Sequence, residues 1–395
     1  MKPRPTRSGL RVPGLDWLLM TAVVALLLFG AVLIWSATIH RDDLNLGDPA
    51  AYLKKELVNI AIGLVLLVMV LATDHRWVRI VAPLVYLASV LGLVLVLVMG
   101  TSVNGSRSWL MLGGLSTQPS EFAKLAVVIG MALLVAERAE GASRTHVGSV
   151  DVIGMLVIAG IPAVLILLQP DLGTMLVLAA TVFGALAIAG VARAWLAGLV
   201  VAGVAGAVAV VRLGLLKDYQ LDRFLAFTDP TLDPRGAGYN VEQARIAVGN
   251  GGLFGQGLFD GSQTRAGFVP EQHTDFVFTV AGEELGLIGG AVLIALLGVV
   301  IWRALAIAAH TDDTFGRVAA AGIACWFGFQ AFQNIGMCLG IMPVTGVPLP
   351  FVSYGGSSLF ASLLAVGLLQ NIHLRSTAAL PTRYVVAPRR TLVSR

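Results

Sequence analysis

Glu121, Lys124, Asp171, Asp275, Glu283 and Glu284 are ionisable side chains set within or beside long apolar runs. In a membrane such residues face a protein interior or a water-filled cavity, and they mark a functional site by default. Glu121 and Lys124 are three apart, so they share one helix face and can pair. The pair is either a structural ion pair, with Glu121 also favouring the positive start of its helix, or a charged lining for substrate. Asp171 follows Gln169-Pro170 and Asp275 follows His273-Thr274. Each stands where a helix begins, so capping competes with acid–base work at both. Glu283 and Glu284 fall about 12–14 Å deeper than Asp275 on a continuous helix and need partners in the bundle. They read first as a hydrogen-bond network that fixes helix packing. Trp109, in NGSRSWLMLGG, is an interface anchor or a platform for a sugar ring.

The elements that must position these residues are helices in lipid. Of 395 residues, 57% are hydrophobic and only 13% are charged, with a mean hydropathy of +0.84. A soluble domain carries about 25% charge. A soluble enzyme, a disordered chain and a nucleic-acid-binding module are thereby excluded. The run from about Leu15 to Ala37 exceeds the roughly 7–15 residues of a signal-peptide core and reads as a retained span. Further runs begin near Leu57, Ile80, Phe122, Val152, Leu172, Leu196, Phe276, Val318 and Ser358, which makes ten helices. The fold class is an all-α polytopic membrane protein. Cys325 and Cys338 share one run. On a helix they lie about 20 Å apart, too far for a disulfide.

Charge sets the orientation. With the N-terminus inside, the inner segments hold 16 Lys and Arg; the short outer loops hold Arg41, Lys54, Lys55 and Arg107, with Lys124 just inside the fourth span. Short-loop charge therefore favours cytoplasmic N- and C-termini. Residues 1–14 and 374–395 are cytoplasmic tails, and 15–373 form one ten-helix domain with a long outer segment at about 212–274. Every unusual acid then sits at or below the outer surface. The chemistry faces outward.

Three outer stretches stand out. GNGGLFGQGLFDG at 249–261 lacks the lysine of a phosphate-binding loop and reads as a flexible segment against the membrane surface. YNVEQARIAV at 239–248 reads as a short interfacial helix using Val241, Ala244, Ile246 and Val248. MPVTGVPLPFVSYGGSS, from Met342 to Ser358, is too rich in proline and glycine for a regular helix. Irregular backbone at membrane depth must be buried in protein or line a polar cavity, so a re-entrant outer loop is expected. There is no HExxH, GxSxG or Walker A pattern.

QPSEFAKL, QPDLGT, ARIAVGNGGLFGQG, PEQHTDFVFTVAGEELG and PVTGVPLPFVSYGGSS, in that order over residues 104–360, resemble the SEDS family of bacterial shape, elongation, division and sporulation proteins. GVPLPFVSYGGSS and the short N-terminal tail look more like the elongation member, RodA, than the division member, FtsW. The resemblance implies a peptidoglycan glycosyltransferase of the bacterial cytoplasmic membrane. It would polymerise lipid II outside the cell with a class B penicillin-binding protein as transpeptidase partner. It assigns the essential acid of the HTD segment to Asp275, and substrate contacts to Glu121 and Lys124 as cavity-lining residues. Asp171 and Trp109 join them as further substrate-binding residues. Lipid II already carries a pyrophosphate leaving group, so a single base on the acceptor hydroxyl would suffice, contributing roughly 10²–10⁴-fold. An α-linked donor and a β-linked polymer imply one inverting displacement. Charge on the departing pyrophosphate would need Lys124, an arginine of the outer segment, or a divalent cation; Glu121 and Asp171 are the acids that could hold Mg²⁺. Two other classes share these features, a lipid II flippase and a non-catalytic scaffold for the penicillin-binding protein.

Overall fold

The computed structural model describes residues 14–45, 47–103, 106–112, 115–142, 147–214 and 236–378, with residues 220, 221, 223, 227, 229 and 233 between the last two stretches. Most of both expected tails, and Lys217 and Arg235 of the outer segment, lie outside the described residues. The elements are α1 (Trp17–Ile39), α2 (Asp42–Asn45), α3 (Ala51–Ala72) and α4 (His75–Met99), then β1 (Thr101–Val103), β2 (Ser106–Leu112) and β3 (Leu115–Thr117). There follow α5 (Pro119–Ala142), α6 (Ser149–Leu168), α7 (Leu172–Ile188), α8 (Arg193–Arg212), α9 (Ala237–Asn250), α10 (Ser262–Ala266), α11 (Val277–Glu284), α12 (Gly286–His310), α13 (Thr314–Cys338) and α14 (Gly356–Ala378).

Eight of these helices are long and apolar enough to cross a membrane: α1, α3, α4, α5, α6, α8, α12 and α14. The shorter apolar helix α7 and the more polar, 25-residue α13 complete the ten that hydropathy anticipates. The chain is an all-α, multi-pass membrane protein. Side-chain bonds sort the helix ends into two faces. At one face Asp16, which caps α1, pairs with Arg303 of α12 at 2.7 Å, and its backbone exchanges two hydrogen bonds with Gln370 of α14. Arg79–Asp313 and Arg375–Asp74 close the same face. Ser36 at the far end of α1 donates instead to Glu284. The starts of α1 and ends of α14 thus share a face, as an even number of crossings requires.

The eighth span differs from expectation. It does not run unbroken from Phe276: α11 ends at Glu284 and α12 starts at Gly286. Gly286 has φ +65°, and a Cβ there would lie 2.4 Å from the Gly255 nitrogen, so close packing of the glycine-rich segment forces the break. Glu283 and Glu284 consequently end a short helix and do not descend a long one. Glu283 accepts from the Gln263 and Thr264 nitrogens (2.7 and 3.0 Å) and from Thr264 Oγ1 (2.7 Å), which caps α10. These two acids hold the outer segment in place. That segment is pinned to protein, contrary to its reading as a flexible loop. Helix α9 likewise turns Val241, Ala244 and Ala247 into the protein, against α11 and α13, so the interfacial reading of this stretch is corrected.

A second departure is a small antiparallel sheet between α4 and α5, in which β2 pairs with both β1 and β3. Trp109 opposes Thr101 within it. The expected re-entrant segment is present: residues 343–349 are irregular, and Val344, Val347 and Leu349 are buried.

Candidate functional site

A cavity of about 190 Å³ opens at the face opposite the Asp16–Arg303 pair. A bound water needs only about 10–15 Å³ on this measure, so the space admits a group much larger than water. Its walls come from β2 (Ser108, Trp109), the turn before α5 (Gln118), the start of α7 (Asp171), the segment before α11 (Glu271, Thr274, Asp275), Arg223, and the re-entrant stretch Thr345, Gly346, Pro348, Tyr354 and Ser357. Six stretches of the chain converge here. Of the sequence candidates, Trp109, Asp171 and Asp275 line it.

Asp275 sits in a tight turn in which the Thr274, Asp275 and Phe276 nitrogens all point to the Glu271 carbonyl, at 3.2, 3.0 and 3.3 Å. The cap of α11 is Phe276, with no side-chain cap bond, so Asp275 does not cap a helix. No hydrogen bond from the described residues reaches its carboxylate. Desolvation, then repulsion from Glu271, pushes its pKa up to about 7 against the pull of Arg223. A carboxylate poised near neutrality and free of structural duty suits a general base. Its neighbour His273 is no partner for it. That ring is buried, edge-on to Tyr52 at 4.9 Å, and its carbonyl accepts from the Tyr354 nitrogen at 3.0 Å.

Asp171 caps a helix and also faces the cavity. It caps α7 through the Thr174 nitrogen (3.0 Å) and Oγ1 (2.8 Å), accepts from Gln118 Nε2 (3.2 Å), and still lines the cavity. Burial pushes its pKa up.

The expectation that Glu121 and Lys124 line the cavity is corrected. They pair at 2.8 Å with side chains 2% and 0% exposed, one layer beneath the wall. The first turns of α5 run inward under the re-entrant segment, which covers them. Lys124 Nζ also donates to Gln330 Oε1 at 2.8 Å, and Gln330 Nε2 donates to the Pro348 carbonyl at 2.8 Å. The pair therefore braces the wall through one amide.

Gln330, Gln333 and Asn334 of α13 are the residues that sequence reasoning passed over. All three are fully buried behind the site. Their signal was available: amides at i, i+3 and i+4 in a span share one face and seek partners on neighbouring elements. Arg223 and Glu271 were also missed, being ordinary charges within a long outer segment. Among the described residues no three His, Cys, Asp or Glu side chains gather as metal ligands. Asp171 is engaged by Thr174 and Gln118, and Glu121 by Lys124.

Among the described residues, ten long helices, a face tied by ion pairs and a polar cavity at the opposite face define a membrane protein whose chemistry takes place at one surface. The profile of the cell cycle protein family FtsW/RodA/SpoVE matches residues 16–378. The chain belongs to this family, the SEDS proteins. It is 39% identical to the probable peptidoglycan glycosyltransferase FtsW of Trichlorobacter lovleyi, over 93% of this chain and 95% of that one. It is equally 39% identical to the peptidoglycan glycosyltransferase MrdB of Escherichia coli K12, over 91% and 93%. A chain in a solved peptidoglycan synthase complex, described as coordinating polymerization and crosslinking, superposes with a TM-score of 0.75 at 34% identity, covering 92% of this chain and 98% of its own.

Proposed function

We propose that this protein, a peptidoglycan glycosyltransferase, polymerises lipid II at the outer face of the bacterial cytoplasmic membrane with Asp275 as general base. The carrying observation is the unengaged Asp275 carboxylate in the cavity, with its pKa raised to about 7. In the transfer, Asp275 takes the proton of the acceptor hydroxyl as that oxygen attacks the anomeric carbon from the face opposite the pyrophosphate. The C–O bond to pyrophosphate breaks, its electron pair leaves with the lipid, and the anomeric configuration inverts. No acid is needed for so stable a leaving group. Arg223, which lines the cavity where Lys124 does not, faces the departing pyrophosphate. Trp109 offers the sugar an aromatic face, and Asp171 with Gln118 supports the wall beside it. Glu121 and Lys124 act through the wall they brace.

The similar chain in a peptidoglycan synthase complex supports pairing with a class B penicillin-binding protein. The equal identities to FtsW and MrdB do not separate division from elongation; the GVPLPFVSYGGSS segment favours elongation. A flippase would expose its polar site to both sides in turn. The ion pairs that tie α1, α12 and α14 together opposite the cavity count against that reading. The test is to purify the chain, reconstitute it in lipid without other polymerases, and supply fluorescent lipid II. Glycan ladders that vanish in Asp275→Asn support the assignment; ladders made by Asp275→Asn at the wild-type rate overturn it.

A further inference from the structure

The re-entrant segment has no secondary structure of its own with which to hold its shape. Between Pro343 and Pro348 no backbone–backbone hydrogen bond is made, and the two prolines bring no N–H. Val347 is buried, and a buried carbonyl needs a donor. Helix α13 supplies the donors from one face. Gln330 Nε2 donates to the Pro348 carbonyl (2.8 Å), Gln333 Nε2 to Thr345 Oγ1 (2.9 Å), and Asn334 Nδ2 to the Val347 carbonyl (2.8 Å). Asn334 Nδ2 has a second acceptor, the carbonyl of Asp275 itself, at 2.7 Å. Carbonyls only accept, so the amide must present its NH₂ to both.

One nitrogen thus ties the residue bearing the proposed base to the loop that faces it across the cavity. That approach is close: Gly346 has φ +68°, and a Cβ on it would lie 3.2 Å from Asp275 Oδ2. A Cβ there would press on the carboxylate, and a small shift of either backbone segment changes the distance.

We infer that Asn334 is a positioning residue for glycosyl transfer, fixing the Asp275 backbone against Val347 so that the carboxylate meets the acceptor hydroxyl at one distance. The inference rests on Asp275 being the base. Asn334 touches neither substrate nor the carboxylate, so its effect passes wholly through geometry. Misplacement of about 1 Å from a remote change costs on the order of 10²-fold in rate.

The test compares Asn334→Gln with wild type in the reconstituted full-length chain. The variant keeps both donors but moves them by one methylene. Positioning predicts that kcat on lipid II falls about 10²-fold while KM changes little. It also predicts that the acidic limb of the pH–rate profile moves below about 7, because a loosened turn lets water reach the carboxylate whose desolvation is the main cause of its raised pKa. The groups facing that carboxylate are Glu271 from its own turn, Arg223 from the outer segment, Asp171 from the start of α7 and Cys338 from α13; none is altered. A purely structural role predicts less folded protein but an unchanged kcat and pH limb per folded molecule, and that result overturns the inference. Where Asn334→Gln yields no folded protein, Asn334→Ser, which keeps one donor and adds no volume, is judged by the same criteria. Asp275→Asn is run alongside. If it stays active the base assignment fails; if it is dead while Asn334→Gln behaves as wild type, only the positioning role fails.

Discussion

Helices α8 and α13 are of similar length and opposite character. Between its terminal arginines, Arg193 and Arg212, α8 is apolar, and none of its 20 residues is buried within the protein. Of the 25 residues of α13, 18 are buried, and three of those are amides. Hydropathy ranks α8 above the more polar α13. The ranking inverts their importance to the site. In lipid an apolar surface requires no partner, whereas a polar one must find protein, so polarity within a span reports burial and contact. Helix α13 backs the re-entrant side of the cavity through polar side chains that the more hydrophobic α8 lacks.

The sharpest break of this comparison lies at the residue α13 holds in place. Asp275→Asn should lower polymerisation of lipid II by roughly 10²–10⁴-fold, measured as glycan ladders, with insertion and partner association unchanged. Its effect on stability has the opposite sign. The folded pKa of about 7 lies above the ordinary aspartate value of 3.8, so the native state binds the proton more tightly than the unfolded state does. Asp275 therefore contributes stability at low pH that is lost as pH rises from about 4 through 7. Asp275→Asn should melt higher than wild type at pH 8 and no higher at pH 3. An equal melting temperature at both would sink the desolvated-carboxylate picture.

Next in size is the ion pair within α5, which α13 meets through Gln330. Glu121→Ala leaves Lys124 buried without its carboxylate, and breaking such a pair costs about 3–5 kcal/mol. A thermal melt should fall accordingly, and activity should fall with it as the Gln330–Pro348 brace loosens. Full stability with lost activity would instead return Glu121 to direct substrate contact.

The pH–rate profile comes third. A base must be deprotonated to act, so the rate should fall about tenfold per unit below pH 7 and level above it, read from initial rates of polymer formation.

The smallest effects separate the two helices most cleanly. A Cβ on Gly203 of α8 meets nothing within 4 Å, whereas one on Gly173 of α7 would lie 2.6 Å from the Thr345 carbonyl of the re-entrant segment. Gly203→Ala should change stability by no more than about 0.5 kcal/mol. Gly173→Ala should displace the cavity wall and reduce activity measurably. Similar outcomes for both would deny that α8 is free of the bundle.

Much of this was legible without coordinates, for reasons particular residues make plain. The helices announce themselves because runs such as 15–37 and 80–99 hold almost no charge. Asp171 and Asp275 were visible because acids are rare there. The break at Gly286 was not, since the close approach that goes with it comes from Gly255, thirty-one residues earlier. The depth of Glu121 and Lys124 was hidden as well: spacing shows that they pair, but only the covering loop shows that they pair out of reach. Gln330, Gln333 and Asn334 went unread because uncharged amides escape a search for ionisable groups.

The outward aspect of the cavity has a consequence for physiology. With the proposed base and the orientation expected from the short-loop charges, Asp275 would exchange its proton with the medium outside the membrane and not with the buffered cytoplasm. Acidification of the surroundings would titrate the base directly. Strand synthesis would slow without any signal crossing the bilayer, coupling wall growth to external acidity through a single carboxylate.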